Sequence, residues 1–335
     1  MKKHRIVSCL TCLLIAAAIL LPTLGDARET SLRQKLKERR SARQSAAADN
    51  RESPIDQAGD YTFDLLHNGL TRQYRLHVPA GYRPDKPLAM VLSLHGGGGN
   101  MSVQADDSYY GLISKSDSAG FAAVFPNGYS RLRSGKLATW NAGICCGAAR
   151  DRGVDDVGFL RAVVKDVQSK LNIDPGRIFA SGMSNGGMMS YRLACEMADT
   201  FKAIAAVAGT DGTRACTPSR PVSVLHIHAR NDDRVLFNGG SGSASASHAD
   251  FVSVPDTVAK WVKLNACNIP PTRVLEVAGA YCEVYSPCRE QAKVELCVTE
   301  TGGHSWPGGR KVRGGEPGST AISATDLMWD FFAAP

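Results

Sequence analysis

Beyond residue 51 this 335-residue chain has no excess of either charge. The formal net charge of +7 sits wholly in residues 1–51, which hold 11 Lys/Arg against 4 Asp/Glu; the remainder holds 28 of each sign. A nucleic-acid partner would leave a basic footprint on the folded part, and that part is balanced. No internal repeat is evident, which argues against a solenoid or propeller. The glycine-rich run "LHGGGGN" at 94–100 is not followed by G-K-[ST], so it lacks the mark of a phosphate-cradling loop. His226 and His228 form an H-x-H pair on one face of an apolar stretch, but no third metal ligand accompanies them; satisfied structural histidines are the favoured reading. His67, His77 and His248 have no constellation around them. Neither a metal nor an organic cofactor is called for.

What the chain does have begins with a basic start, "MKKHR", followed by the apolar run "IVSCLTCLLIAAAILLPTL" and small residues near Gly25 and Ala27. This pattern predicts an export signal over 1–27 rather than a retained anchor, since the run is barely long enough to span a bilayer. Cys9 and Cys12 go with it. A secreted protein, extracellular or periplasmic, without stable membrane insertion once the signal is removed, is the expectation. Residues 28–60 are charged and Ala/Ser-rich, with too few apolar residues for a core, and read as a flexible linker.

Eight cysteines remain after the signal, an even number that in an exported chain favours disulfides. "YCEVYS" and "KVELCV" flank a turn and read as a hairpin; if Ser286 faces Lys293, Cys282 faces Cys297 across the strands. Cys267 with Cys288 and Cys195 with Cys216 are further candidate pairs. Cys145 and Cys146 are adjacent, and a vicinal disulfide, separate bridges and a redox pair all stay open.

From residue 61 to 335 the pattern is of one catalytic domain. "RQYRLHVP" alternates like a half-buried strand, whereas "LAMVLSLH", "FAAVFP", "RIFAS", "AIAAVAG" and "VSVLHIH" are continuous apolar runs suited to buried parallel strands. Val157, Leu160, Val164, Val167 and Leu171 recur at helical spacing. Helices are also expected at 185–198, 255–267 and 319–332. Strands alternating with helices imply an α/β fold: a mostly parallel central sheet with helices on both faces. "GGSGSASASHAD" reads as a flexible loop within that domain.

Between the strand "RIFAS" and the next helix stands Gly182-Met183-Ser184-Asn185-Gly186. A lone G-x-S-x-G is weak, but a sharp strand-to-helix turn is the context that projects a nucleophilic serine. A serine nucleophile also needs a base, an acid to orient it and donors for an oxyanion. The donors suggested by position are the N–H of Asn185 and that of Gly96 or Gly97, at the end of the strand "LAMVLSLH". His304, in "TGGHSWPGG" between a strand and the last helix, is the candidate base. Asp232 and Asp233 follow the strand "VSVLHIH", and spacing alone does not separate them. Asp155 and Asp156 precede the serine, against the expected order, and read as helix starters. Trp140 and Trp306 are candidate substrate-stacking residues, with loop or core packing as the alternative.

The motifs "LHGGGGN", "WNAGICCG", "VDDVGFL", "GMSNGGMMSYRLAC", "HIHARNDDRV" and "GGHSWPGG", in that order over most of 61–333, resemble the secreted polyhydroxybutyrate depolymerase-like esterases, which include bacterial feruloyl esterases. The resemblance implies an α/β-hydrolase fold and a triad of Ser184, Asp232 and His304. It places the acid on Asp232, from a pattern like H-G-x-x-D-x-x-V, with Ala229 standing here where the pattern has glycine. It implies an ester substrate, small or polymeric: feruloyl or acetyl esters of plant cell-wall polysaccharide, or else polyhydroxybutyrate. The rival readings are a peptidase and, least favoured, a non-catalytic binding protein on the same fold.

Overall fold

The computed structural model describes residues 33–35, 37, 54–247, 249–312 and 317–334. The expected signal segment and the loop histidine His248 lie outside these residues. Residues 33–35 and 37, within the charged stretch, are helical. No helix among the described residues is long and apolar enough to cross a membrane.

Among the described residues ten strands form one sheet: β1 (Gly59–His67), β2 (Leu70–Val78), β3 (Leu88–Leu94), β4 (Phe121–Pro126), β5 (Ile173–Met183), β6 (Ala203–Val207), β7 (Ser223–Ala229), β8 (Thr272–Val277), β9 (Ala280–Tyr285) and β10 (Val294–Thr299). Their order across the sheet is β1-β2-β4-β3-β5-β6-β7-β10-β9-β8. The central pairs from β4 through β10 are parallel. Antiparallel hairpins close both ends. This is the mostly parallel sheet that the apolar runs predict. The reason is visible in β3, β4 and β6, whose residues are buried without exception, as strands covered on both faces require.

Two apolar layers sandwich the sheet. One packs the helices Asp156–Lys170, Asn185–Glu196 and Val254–Leu264 against residues such as Leu92, Val124 and Ile204. The other packs Leu112–Ala119 and Ala324–Ala333 against Val91, Phe179 and Leu225. Phe179 stacks on Phe332 at 4.5 Å, and Phe121 on Trp329 at 4.4 Å. Local capping sets the helix starts: Asp155 accepts the Gly158 N–H at 2.8 Å, and Ser253 accepts that of Asp256 at 3.0 Å. The last helix starts four or five residues later than its sequence suggests. Ser323 caps it, whereas the Ser319 carbonyl is engaged by the Gly308 N–H.

The folded region begins earlier than the boundary expected at residue 60. Ile55 is buried, with its N–H on the Lys170 carbonyl at 2.9 Å, and Gly59 and Asp60 already belong to β1. Four disulfides join Cys145–Cys146, Cys195–Cys216, Cys267–Cys288 and Cys282–Cys297. The β9–β10 register places Cys282 opposite Cys297, as the hairpin argument requires. Cys145 and Cys146 pair with each other, which excludes separate bridges to other cysteines.

Candidate active site

β5 runs directly into the helix Asn185–Glu196, and Ser184 is the single residue between them. Its backbone sits at φ 56, ψ −119, a left-handed region that costs a residue with a Cβ and persists only where its surroundings impose it. Two contacts impose it here. The Ser184 N–H is bonded to the Val207 carbonyl at the end of β6, at 2.7 Å. The glycines permit the turn to close: a Cβ on Gly186 would run into the Leu94 carbonyl, and one on Gly182 into the backbone of Gly186. The half-buried Ser184 opens into a cavity of about 490 Å³ at the carboxyl ends of the parallel strands, where open α/β sheets place their ligands.

The glycine run after β3 comes up beside this turn. A Cβ built on Gly96 would lie 3.5 Å from Ser184 Cβ, and one on Gly97 would lie 3.6 Å from Asn185 Cβ. The main-chain N–H of Asn185 is the first of its helix, one of the donors that no helical carbonyl can reach. Beneath the run lies His95, fully buried. The Gly128 N–H donates to its Nε2 at 2.9 Å, so the proton is on Nδ1, which donates to the Gly96 carbonyl at 2.8 Å. Burial pushes His95 down to about 4, which keeps the ring uncharged.

Trp140 does not stand where a stacking residue would. Its indole is fully buried, its Nε1–H donates to the His95 carbonyl at 3.0 Å, and its ring packs 5.1 Å from the His95 ring. Its main chain and the Asn185 amide exchange two hydrogen bonds, Trp140 N–H to Oδ1 at 2.7 Å and Nδ2–H to the Trp140 carbonyl at 3.0 Å. Trp140 thus clamps the Ser184 turn to the glycine run from below. The sequence carries the signal only indirectly, in "WNAGICCG" standing among the shared motifs. Arg72 and Asp156, paired at 2.6 Å in the interior, brace the same loop through the Asn127 carbonyl and the Asn141 N–H. Asp155 caps its helix, as expected, while Asp156 has this second task.

On the opposite wall, Asp232 lies in the turn after β7. Its Oδ1 accepts the N–H groups of Arg234 and Val235 at 2.8 and 2.9 Å, and its Oδ2 accepts Nδ1–H of His304 at 2.8 Å. Burial alone would raise the Asp232 carboxyl. The hydrogen bonds from His228 and His304, with the pull of either ring when it is charged, outweigh it and hold the group well below the usual carboxylate range. The loop carrying His304 is pinned by the Gly303 N–H on Asn231 Oδ1 at 2.9 Å. With Nδ1 committed to the carboxylate, the neutral His304 ring presents an unprotonated Nε2. His304 and Ser184 share the lining of the one cavity. Asp233, the neighbour that spacing could not exclude, is exposed at the rim of this cavity and has no bond to His304. Ala229 ends β7 without a left-handed backbone, so no glycine is needed there.

Apolar side chains, Val103, Met183, Met188, Phe251 and Trp306, form much of the remaining wall. Trp306 offers it little surface. The ring is 3% exposed, its Nε1–H donates to Thr325 Oγ1 at 2.9 Å, and it meets Tyr110 edge-on. Cys146 also lines the cavity. The pair His226 and His228 is buried and hydrogen-bonded, as the structural reading expects, but its last member reaches the Asp232 carboxylate. Nothing in the spacing announces that link.

Residues 140–216 match the prolyl oligopeptidase family, a span that includes the serine turn. The chain is 30% identical over 300 residues to a probable feruloyl esterase C of Aspergillus clavatus, covering 87% of this chain and 93% of that protein. It is 31% identical over 281 residues to feruloyl esterase C of Emericella nidulans, covering 80% and 88%. With feruloyl esterase B of Piromyces equi it shares 32% over 242 residues, 70% of this chain but only 42% of that longer protein. Among solved structures, an acetyl xylan esterase from Aspergillus awamori superposes with a TM-score of 0.56 over 81% of this chain and 98% of its own, at 12% identity. At that identity the likeness speaks for the fold alone.

Proposed function

Because the chain belongs to the esterase family that includes the feruloyl esterases, within the α/β-hydrolase superfamily, and is a carboxylic ester hydrolase, we propose that it cleaves feruloyl or acetyl esters of plant cell-wall polysaccharide through Ser184, His304 and Asp232. The observation that carries the reading is the Asp232–His304 bond of 2.8 Å beside the left-handed Ser184 turn, with both residues at one cavity.

His304 Nε2 takes the Ser184 proton as Oγ attacks the ester carbonyl. Asp232 holds the imidazole in the required tautomer and stabilises the imidazolium that forms. The N–H of Asn185 and that of Gly96 or Gly97 receive the oxyanion, and they are pre-aimed because the Trp140 clamp and His95 fix the two segments against each other. His304 returns its proton to the leaving alcohol. Water, activated by the same imidazole, then releases the acid from Ser184. The apolar wall of Met188, Phe251 and Val103 suits an aromatic or short acyl group better than a charged one. An exported enzyme fits the apolar amino-terminal segment and the four disulfides.

Hydrolysis of p-nitrophenyl acetate, methyl ferulate, acetylated xylan and hydroxybutyrate oligomers by wild type and Ser184→Ala tests both levels. Ser184→Ala is expected to lose activity by four orders of magnitude or more. Undiminished turnover in that variant would remove the serine mechanism. Strong preference for hydroxybutyrate oligomers would replace the polysaccharide ester as substrate.

A further inference from the structure

Three buried polar side chains outside the cavity lining stand end to end behind Asp232. The Tyr191 hydroxyl meets His226 Nδ1 at 2.8 Å, and His226 Nε2 meets His228 Nδ1 at 3.1 Å. His228 Nε2 then lies 2.8 Å from the Val235 carbonyl and 3.3 Å from Asp232 Oδ2. All three residues are at most 1% exposed, and the two imidazoles are stacked with their planes 7° apart.

Hydrogen-bond bookkeeping gives the string a direction. His228 Nε2 faces only acceptors, a carbonyl and a carboxylate, so it carries a proton. In an uncharged ring its Nδ1 then accepts, which puts the proton of His226 on Nε2. His226 Nδ1 is left to accept from the Tyr191 hydroxyl. Every hydrogen in the string points the same way, toward the Val235 carbonyl and the Asp232 carboxylate beside it, and bonds aligned in this way polarise one another. The surroundings add little charge. In the sheet, His226 is flanked by Ala206 and Leu296 and His228 by Val298, while Phe237 meets His228 edge-on. Beyond Tyr191 the nearest charge is Asp211, which is paired with Lys260 at 2.8 Å and bonded by the Trp261 indole at 3.0 Å. Burial, with His228 adding to it, pushes His226 far down, and burial with Asp211 pushes Tyr191 far up, so neither changes protonation in the working range.

We propose that His228, backed by His226 and Tyr191, is a positioning residue for the Asp232–His304 pair: its Nε2–H, bonded to the Val235 carbonyl, is shared with the carboxylate oxygen 3.3 Å away that receives His304 Nδ1–H, and so helps set both the aim of that carboxylate and the proton affinity of the base. The proposal rests on the triad reading above. A carboxylate oxygen that shares its charge with a second donor holds the His304 proton less tightly than one that does not, so losing the donor tightens proton binding by the pair.

The test is kcat and KM for p-nitrophenyl acetate across pH 5–9 in wild type, His228→Leu, His228→Gln and Tyr191→Phe, with active-site titration to count competent molecules. His228→Leu is expected to lower kcat about 10- to 100-fold per competent site, the worth of a hydrogen bond to a charged group, with KM little changed. The acid limb of kcat/KM should move to higher pH. His228→Gln, which returns an N–H at the same end, should recover much of both. Tyr191→Phe should shift the limb in the same direction by less, and it carries the test if His228→Leu fails to fold. Wild-type rates and an unmoved limb in the variants that fold, or a loss explained wholly by fewer competent sites, would overturn the proposal. Asp232→Asn, run alongside, keeps the two readings apart. A wild-type rate there removes the triad itself, whereas a collapsed rate there with an unaltered His228→Leu removes only the positioning role.

Discussion

His95 and His228 are both buried imidazoles near the carboxyl end of a strand, yet their partners differ in kind. His95 is held by main chain on both nitrogens, the Gly96 carbonyl and the Gly128 N–H, and the wall it supports is built from glycine backbone and the Asn185–Trp140 clamp. His228 is held by the His226 ring on one side and the Val235 carbonyl and Asp232 on the other, in a wall whose working groups are all titratable side chains. The glycine wall, proposed to hold the oxyanion, therefore depends on packing and fixed dipoles, and it fails when space or backbone geometry is disturbed. The wall of Asp232 and His304, proposed as acid and base, depends on where protons sit, and it fails when a donor or a charge is removed.

Three measurements would break or sharpen that contrast. The largest effect is expected at the carboxylates: Asp232→Asn should lower kcat about 10⁴-fold, while Asp233→Asn, at the exposed neighbour, should change it only a few-fold. Comparable losses in both would mean that the buried bond to His304 is not what selects the acid. Next comes the pH dependence of stability. The His95 ring takes up a proton near 6.5 in the unfolded chain but only near 4 when folded. Unfolding thus binds a proton over that window, and stability should fall by roughly 3 kcal/mol as pH drops from about 6.5 to 4, with no further contribution below. Denaturant titrations of wild type and His95→Gln across this range check it; parallel pH curves for the two would exclude His95 as the source. The smallest effect is expected for Ala229→Gly, which restores the glycine of the related pattern. Because the backbone there is not left-handed, the change should cost at most about 1 kcal/mol through chain entropy and leave kcat/KM unaltered. A gain in stability would reveal strain at Ala229.

The parallel order of the sheet was legible because β3, β4 and β6 are buried on both faces and so are written as uninterrupted apolar runs. β1 and β8 were not, since each lies at an edge with most residues exposed or half-buried and leaves only a weak pattern. The Cys282–Cys297 bridge followed from hairpin register, a local property. At the site, "GMSNG" gave Ser184 a turn, and chain order gave His304, because both are written within short segments around glycine. For Trp140 the sequence leaves stacking and packing both open, for the opposite reason. Its chemistry suits a sugar or an aromatic ring, and only the tertiary contacts with His95 and Asn185, 45 residues away on either side, turn its ring inward.

By itself, then, the sequence determined the elements whose causes are local: buried strands, helix caps, the cross-strand cysteine pair and the glycine-flanked serine. Spacing left Asp232 and Asp233 open and only the resemblance favoured Asp232; the tertiary structure bonds His304 to Asp232, brings two core histidines up behind that carboxylate, and sets Trp140 beneath the site rather than in it. Each of those outcomes depends on which side chains the carboxyl ends of β3, β5, β7 and β10 bring within about 3 Å of one another, the reach of a hydrogen bond, and no spacing along the chain encodes that distance.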